Sequence, residues 1–526
     1  MSEPESHELV STVTRRSSST RDLTEMRRSH TLSDGGCVYI SNTERALSFT
    51  NNRTGTSHSN ITETYITSLI EDLQTALQTL NAHPPLPLLE EWATLIHECL
   101  SLESRKFHSV HHVFEISSGC DPLQLLAAFF RDSIKSVTDG ALTARQERHV
   151  GDVLNRERRH QQQQLGGSHN VVVGDERLIE LVMDIFGRQV GQSDCNNDGG
   201  LDFFLSAVLM ARVLKDTLSE TYLAQIAVCM EATIPFRERA LETLDQRLRA
   251  ANDKYNLGLT EGELLESIQR GADLNNRNLG NFASEDAVFF LDHTWSLLPE
   301  RSCALRRTYL YSLNDMCEAC HNMEVFLTNL DSTLVFQSFQ GVPDDEEMHF
   351  FRQRLGNNLQ KGQKYMRAKL LGVAICSAIA TLTGGDGPMS FFTGDLPTHN
   401  YNSDRLGEDF PVFDYKALTR GCDLDVYLIL NRGRQLEQTF DTRNAPIAAY
   451  LYAILGDAGV LQALQFCEFP MTTQSSLNLL KHLPHENVVL VANNIGTIAL
   501  SRTEAIQDLM VELFGNIDDD VQTEQT

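Results

Sequence analysis

The chain has 526 residues, of which 41% are hydrophobic and 22% are charged, and its formal net charge is −27 at pH 7. This length and composition predict an ordinary soluble protein with two to four domains. The negative charge argues against nonspecific binding to nucleic acid or to an anionic membrane, because both require a basic footprint. No run of about 18 apolar residues is present, so we expect no membrane span.

The number and distribution of the cysteines indicate the cellular compartment. There are 11 of them, an odd number scattered over the whole chain, which does not resemble a disulfide framework. The first residues, MSEPESHELVSTVTRRSSST, lack the apolar segment of a secretory signal. We therefore expect reduced thiols and a cytoplasmic location.

Both ends of the chain are expected to be tails. Residues 1–60 are rich in Ser, Thr, Asn and Arg and lack apolar periodicity, which predicts disorder, and residues 516–526 form an acidic tail. In RRSSSTR and RRSHTLS, arginines precede hydroxyl residues, as basophilic kinases prefer. The candidate phosphorylation sites are Ser17, Ser18, Ser29 and Thr31. The alternative is a solvated tail without a regulatory role.

Residues 61–300 have helical periodicity and are expected to form an all-helical domain with a polar insertion loop at 145–172. Within it, RKFHSVHHVFEISSGCDPLQLLAAFFRDSIKSVTDG predicts two helices. His108 and His112 are four residues apart and would share one face of the first helix, and the apolar second helix carries Arg131-Asp132. Neighbouring histidines that face a carboxylate on another helix are typical of a metal site for phosphate chemistry.

This segment resembles the HD superfamily of metal-dependent phosphohydrolases, which includes cyclic-nucleotide phosphodiesterases. The family pattern is Tyr/Phe-His-x-x-x-His, then an apolar helix with a His-Asp doublet, then a distant Asp. Phe107-His108, His112 and Asp132 match it. The resemblance implies that His112 ligates a divalent Mn, Fe, Zn or Mg ion, that Asp132 bridges, and that His108 is the catalytic proton donor to the leaving group.

The sequence departs from the family at two points. Arg131 replaces the His of the doublet, and a guanidinium cannot ligate a metal, although its planar fork suits a phosphate. The late Asp is also missing. The nearest acidic candidate for a metal ligand is Glu231, with Arg237 close by as a candidate phosphate ligand. Asn276 and Asn278 stand where an acidic residue is expected. The alternative for Glu231 is a structural residue near a proline turn.

Residues 301–400 predict a helical extension. The sequence Cys317-x-x-Cys320-His321 spells the c-type haem attachment motif, but it lies within an amphipathic helical run in a chain without an export signal. We therefore expect no haem at this motif and assign both cysteines to the core.

Residues 410–515 predict a small α+β module. Short β-branched runs indicate strands at 424–430 and 487–493, and a third strand at 495–501 would pair with the second through an Asn-Asn-Ile-Gly turn. Helices are expected for APIAAYLYAILGDAG and TEAIQDLMVELFG.

Together these features predict a mainly α protein that is a weak or inactive HD-like phosphohydrolase, a pseudoenzyme binding a phosphate-bearing, nucleotide-like ligand. If the site is active, the reaction is metal-dependent hydrolysis of a phosphomonoester or phosphodiester. One alternative is a non-enzymatic regulatory scaffold that binds a protein partner under the control of N-terminal phosphorylation. The other is an accidental similarity in which the histidines are helix-surface residues.

Overall fold

The computed structural model describes residues 64–163, 175–188, 199–394, 406, 410–414, 416, 418 and 421–515. No β-strand occurs among these residues, which contain only two isolated bridges. The helices are α1 (Tyr65–Thr79), α2 (Leu86–Leu100), α3 (Val110–Ser117), α4 (Pro122–Arg131), α5 (Ser136–Asp139), α6 (Ala144–Gln163), α7 (Glu176–Phe186), α8 (Gly199–Leu214), α9 (Glu220–Ala232), α10 (Ala240–Tyr255), α11 (Glu261–Asn278), α12 (Ala287–Arg301), α13 (Leu313–Asn329), α14 (Asp345–Leu382), α15 (Met389–Thr393), α16 (Leu424–Arg432), α17 (Pro446–Leu464), α18 (Thr473–His482), α19 (His485–Ile498) and α20 (Thr503–Phe514).

The prediction of a mainly α protein is confirmed for the described part of the chain. Short 3₁₀ turns complete the regular structure, at Gly280–Ala283, Cys303–Arg306, Ser332–Leu334 and Leu500–Arg502. The predicted tails, 1–60 with its candidate phosphorylation sites and 516–526, lie outside the described residues.

The predicted C-terminal α+β module is wrong, because its strand segments are helical. Residues 424–430 lie in α16, which follows the N-cap Asp423. The carboxylate of Asp423 accepts hydrogen bonds from the N–H groups of Asp425 and Val426, which starts the helix. The buried side chains then recur at helical spacing, as Val426, Tyr427, Ile429 and Leu430.

The other two strand predictions fail for the same reason. Residues 487–493 lie inside α19, and residues 495–501 finish that helix and enter a 3₁₀ turn. Val488 is followed by buried apolar residues three, four and seven positions later, Val491, Ala492 and Ile495, which is the period of a helix rather than of a strand. Packing on one helical face outweighs the β propensity of the valines.

The segment predicted as an insertion loop at 145–172 is helical as far as Gln163, where α6 ends. Its composition is highly polar, but Val150, Val153 and Leu154 are buried and lie on one side of the helix. This narrow apolar stripe packs α6 against α8. The remainder of the predicted loop, residues 164–172, lies outside the described residues.

Buried apolar side chains form two clusters. The N-terminal core runs from Leu69 to Leu274 and includes Phe339. The C-terminal core runs from Leu279 to Met510, so the segments predicted as a helical extension and as a separate module share one core. Cys317 and Cys320 are buried in this second core, where burial raises the pKa of the Cys320 thiol to about 12.

The 38-residue helix α14 is the central element of the C-terminal core and packs against α13, α17 and α18. Among the described residues, α14 and α17 are long and apolar enough to cross a membrane by length and composition alone. Most of the apolar window of α14, 83%, is buried inside the protein, and for α17 the share is 56%. Core helices of soluble proteins have the same properties, so this is weak evidence for a membrane span.

Candidate functional site

The structure places His108 before helix α3 and His112 within it. Ser109 is the N-cap, and its hydroxyl accepts a hydrogen bond from the N–H of His112 at 3.5 Å. The predicted shared helical face of the two histidines is therefore wrong, because a capping serine with extended backbone begins the helix between them. Their rings nevertheless lie close together, with centroids 6.3 Å apart.

Glu300, in α12, holds the loop that carries His108. One carboxylate oxygen accepts hydrogen bonds at 2.6–2.9 Å from the backbone N–H groups of Lys106, Phe107 and His108. The other oxygen lies 2.5 Å from Nδ1 of His108. Burial raises the pKa of Glu300, but His108 and the N–H donors outweigh burial and bring that pKa down to about 2. Glu300 is therefore ionised at neutral pH.

The surroundings of His108 favour the neutral form of its ring. Burial and the positive charge of Lys135 lower the pKa of His108, and they outweigh the opposing effect of Glu300 and Asp132. In a neutral ring whose Nδ1 donates to Glu300, Nε2 carries the lone pair. The side chain is 17% exposed, so a ligand can reach it from solvent.

Arg131 and Asp132 stand at the end of α4, where Asp132 is the C-cap. Both are buried, with relative exposures of 2% and 0%. One oxygen of Asp132 lies 3.0 Å from Nη1 of Arg131, and the other lies 2.9 Å from Nζ of Lys135. Burial raises the pKa of Asp132, but these two cations hold it well below its ordinary value. Asp132 is thus an ionised carboxylate already paired with two cations.

Asn278, at the end of α11, connects Arg131 to His112. Its side-chain oxygen accepts a hydrogen bond from Nη1 of Arg131 and lies 3.2 Å from Nε2 of His112. The Nε of Arg131 donates to the hydroxyl of Thr233 at 3.2 Å. The four predicted site residues His108, His112, Arg131 and Asp132 therefore belong to one polar cluster, which we call the Arg131 cluster together with Lys135 and Asn278.

A second carboxylate lies on the other side of the His112 ring. Nδ1 of His112 is 3.6 Å from Oε2 of Glu115, and Nε2 of His293 is 3.8 Å from the same oxygen. Burial raises the pKa of Glu115, but the two neighbouring histidines hold it well below its ordinary range. Both ring nitrogens of His112 thus face protein groups.

Glu231 is held apart from this cluster by two other arginines. Its Oε1 accepts hydrogen bonds from Arg237 at 2.7 Å and from Arg247 at 2.5 Å, and the side chain is fully buried. Arg237 also donates to the backbone carbonyl of Glu231 at 2.8 Å. The predicted metal ligand and the predicted phosphate ligand are therefore partners of each other.

The Arg131 cluster does not fit a divalent metal ion. Within the described ranges, no group of three or more His, Cys, Asp or Glu side chains is arranged to hold one. The carboxylate of Asp132 faces Arg131 and Lys135, and Asn278 is a neutral amide. A guanidinium at this point would repel a metal cation.

Glu300 and Lys135 belong to the site but were not predicted from the sequence. Glu300 lies 192 residues after His108, and nothing in the local pattern distinguishes it from a surface glutamate. Lys135 lies three residues after Asp132, a spacing at which opposite charges often form an ion pair. This pair could therefore have been predicted from the sequence. Asn278 was identified only as a position where an acidic residue was expected.

Comparison with known proteins adds no relative: the chain matches no family model, no curated protein and no solved structure. The resemblance to the HD superfamily therefore rests on the residues of the segment itself. On its geometry, the site is a buried cluster in which two cations surround one carboxylate beside two histidines.

Proposed function

We propose that this protein is a metal-independent relative of the HD phosphohydrolases. It binds a phosphate-bearing small molecule at the Arg131 cluster and does not hydrolyse it. The observation that carries the proposal is the position of the Arg131 guanidinium between Asn278 and Asp132. The resemblance assigns this region to a metal, and here a fixed side-chain cation lies there.

The charges of the cluster support replacement of a metal by Arg131. A divalent ion needs negative ligands, and the position of one expected acid is the neutral Asn278, which contacts both Arg131 and His112. The remaining carboxylate, Asp132, balances a single positive charge. A buried guanidinium is stable only with such partners, because an unpaired buried charge costs several kcal/mol, on the order of 3–5.

The two cations of the Arg131 cluster also favour binding of a phosphate group. Arg131 and Lys135 are two cations that share the single carboxylate of Asp132, while the carboxylates of Glu300 and Glu115 are occupied by histidines. Lys135 therefore keeps N–H donors that a phosphate oxygen could accept from. The side chain of Lys135 is 14% exposed, and that of His108 is 17% exposed. These two groups are the accessible edge of the cluster, where phosphate oxygens would accept hydrogen bonds from Lys135.

The state of His108 supports binding without turnover. A histidine whose pKa is lowered is a poorer proton donor to a leaving oxygen at pH 7 than a histidine of ordinary pKa. Its neutral Nε2 can accept a hydrogen bond from a protonated phosphate or a ribose hydroxyl. A water nucleophile would lack the metal that lowers its pKa in the family mechanism.

The test is calorimetric titration of the full chain with nucleoside 5′-monophosphates and with the matching nucleosides. Phosphorylated probes are expected to bind and nucleosides to bind at least about tenfold more weakly, since the charge-assisted hydrogen bond is lost. Lys135→Met should weaken binding of the phosphorylated probe by about tenfold or more. Lys481→Met, at an exposed position far along the chain, should leave it unchanged.

A complementary variant restores the family ligands. Arg131→His combined with Asn278→Asp is expected to take up a divalent ion, measured by elemental analysis after dialysis against Mn²⁺ or Zn²⁺. The proposal is overturned if no phosphorylated probe binds the wild-type chain at millimolar concentration. It is also overturned if the wild-type chain carries stoichiometric metal that His112→Ala removes, because the protein would then be a metal-dependent hydrolase.

A further inference from the structure

The C-terminal core contains a cavity of about 340 Å³, within the range of small-molecule sites. Its wall is built from α14, α15, the start of α13 and the segment that enters α17. Apolar side chains line part of it, namely Leu313, Val373, Met389 and Ile447. Tyr309 also lines the cavity and is 48% exposed, so the cavity communicates with the surface.

The polar part of the wall is an ion pair. Nζ of Lys369 lies 3.1 Å and 2.9 Å from the two carboxylate oxygens of Asp441, and both residues are buried. An ammonium has three N–H donors, and among the described residues the hydrogen bonds of Lys369 Nζ go to Asp441 alone, with the centroid of the Trp295 ring 5.4 Å from Nζ. The carboxylate likewise keeps lone pairs beyond those that face Lys369. Each charge can therefore take one more partner from the cavity.

The Lys369–Asp441 ion pair belongs to a buried network of charged side chains whose net charge is zero. Arg434 lies 3.9 Å from Asp441 through Nη2 and 3.5 Å from Asp292 through Nε. Two cations and two carboxylates form this buried network. A ligand with a net charge would leave that charge uncompensated in a low-dielectric site, whereas a molecule carrying one charge of each sign would not.

The start of α17 favours one orientation of a charged ligand in the cavity. Ala445 is the N-cap and supplies no side-chain acceptor, and Ala445, Pro446, Ile447 and Ala448 all line the cavity. The N-terminal end of a helix is partially positive and favours a carboxylate. Lys369 and this helix end therefore favour the negative end of a ligand, and Asp441 favours the positive end.

We propose that the cavity binds a small amphipathic zwitterion, of the class of the apolar and aromatic α-amino acids. The ligand carboxylate accepts from Lys369 and faces the start of α17, and the ligand ammonium donates to Asp441. Its apolar side chain lies against Leu313, Val373 and Met389. The site is separate from the Arg131 cluster, so this inference does not depend on the proposed phosphate ligand.

The experiment compares three probes that share one aromatic body, titrated calorimetrically into the full chain. L-Phenylalanine carries both charges, 3-phenylpropanoate lacks the ammonium, and phenethylamine lacks the carboxylate. L-Leucine and L-methionine test the size of the apolar body. At least one of the three amino acids should bind, and for the phenyl series the single-charge probes should bind at least about tenfold more weakly. Absence of binding by all three amino acids, or equal binding by a single-charge probe, overturns the proposal.

Two variants test the place of binding. Lys369→Met with Asp441→Asn removes both charges together, so neither is left buried and unpaired, and amino-acid binding should be lost. Ser390→Trp, at a half-buried wall position, fills the cavity and should also abolish binding. Ser501→Trp, at an exposed position outside the cavity, is the matched control. Unchanged binding by a folded Ser390→Trp variant, checked by circular dichroism, would place the ligand elsewhere.

Discussion

Glu300 fixes the loop before α3 by accepting three backbone hydrogen bonds on a single carboxylate oxygen while its second oxygen contacts His108. A carboxylate in this setting is stabilised in its charged form, which is why its pKa falls to about 2 despite burial. The position of His108, and with it the accessible edge of the Arg131 cluster, depends on this one residue.

The Glu300 carboxylate should make stability depend on pH. A pKa lowered from 4.5 to about 2 corresponds to roughly 3 kcal/mol of unfolding free energy. This stability is fully present above pH 4.5 and is lost as the pH falls toward 2. The charge of His108 supplies the largest part of this lowering, and the neutral ring is favoured at pH 7. Glu300→Gln should therefore lower the unfolding free energy at pH 7 by less than the full amount, roughly 1–2 kcal/mol, and the difference from wild type should shrink below pH 4.5.

Urea denaturation at a series of pH values from neutral to acidic measures this difference. Glu103→Gln, at an exposed position in the same loop region, is the control and should change stability little at any pH. A Glu300→Gln deficit that stays constant as the pH is lowered would show that the effect is one of shape and not of charge.

Among the helices, α14 contains two glycines in different surroundings, one in close contact with α17 and one at an open position. A Cβ at Gly372 would lie 3.0–3.1 Å from the backbone N and Cα and the Cβ of Ala448, where α17 crosses. Gly356, earlier in the same helix, has no atom within 4 Å of such a Cβ. The two glycines therefore differ in their surroundings but not in their secondary structure.

Gly→Ala substitution at these two positions should change stability in opposite directions. Gly356→Ala should stabilise the protein by roughly 0.5–1 kcal/mol, because alanine loses less backbone entropy in a helix. Gly372→Ala should destabilise it by roughly 1–3 kcal/mol, because backbone atoms of α17 cannot move aside as a flexible side chain could. Thermal denaturation followed by circular dichroism measures both. Equal effects would mean that α17 does not approach α14 at Gly372.

At the scale of the whole molecule, polar contacts join the two cores. Asn278 and Thr233 bind Arg131 on the side of the N-terminal core, while Glu300 reaches from α12 to the loop that begins α3. Asn276, at the end of α11, binds the backbone of Gln337 through both its amide nitrogen and its amide oxygen. Breaking one core would leave several of these buried groups without partners, so we expect the cores to unfold together.

The chain has two tryptophans, and each core contains one: Trp92 is buried in the N-terminal core and Trp295 in the C-terminal core. In the Trp92→Phe variant the remaining tryptophan reports on the C-terminal core, and in the Trp295→Phe variant it reports on the N-terminal core. The fluorescence midpoint in urea is expected to coincide with the loss of helical circular dichroism in both variants. Separate midpoints would instead identify two independently stable domains.

The helical character of the chain was predictable because helix formation follows local periodicity. The segments that give α1 and α2 carry apolar residues at helical spacing, and these helices formed where the pattern indicated them. The strand predictions at 424–430 and 487–493 relied on β-branched composition. They failed because buried faces, which composition does not specify, decided between helix and strand.

The pair Arg131-Asp132, the nearby histidines and the missing acidic residue at Asn278 could all be identified from local pattern. Their contacts could not, because the guanidinium lies between Asn278 and Asp132, Glu300 holds His108, and Glu231 pairs with other arginines. The physical reason is that local pattern sets which residues are helical or polar. The pairing of buried polar groups depends on contacts between segments up to 194 residues apart.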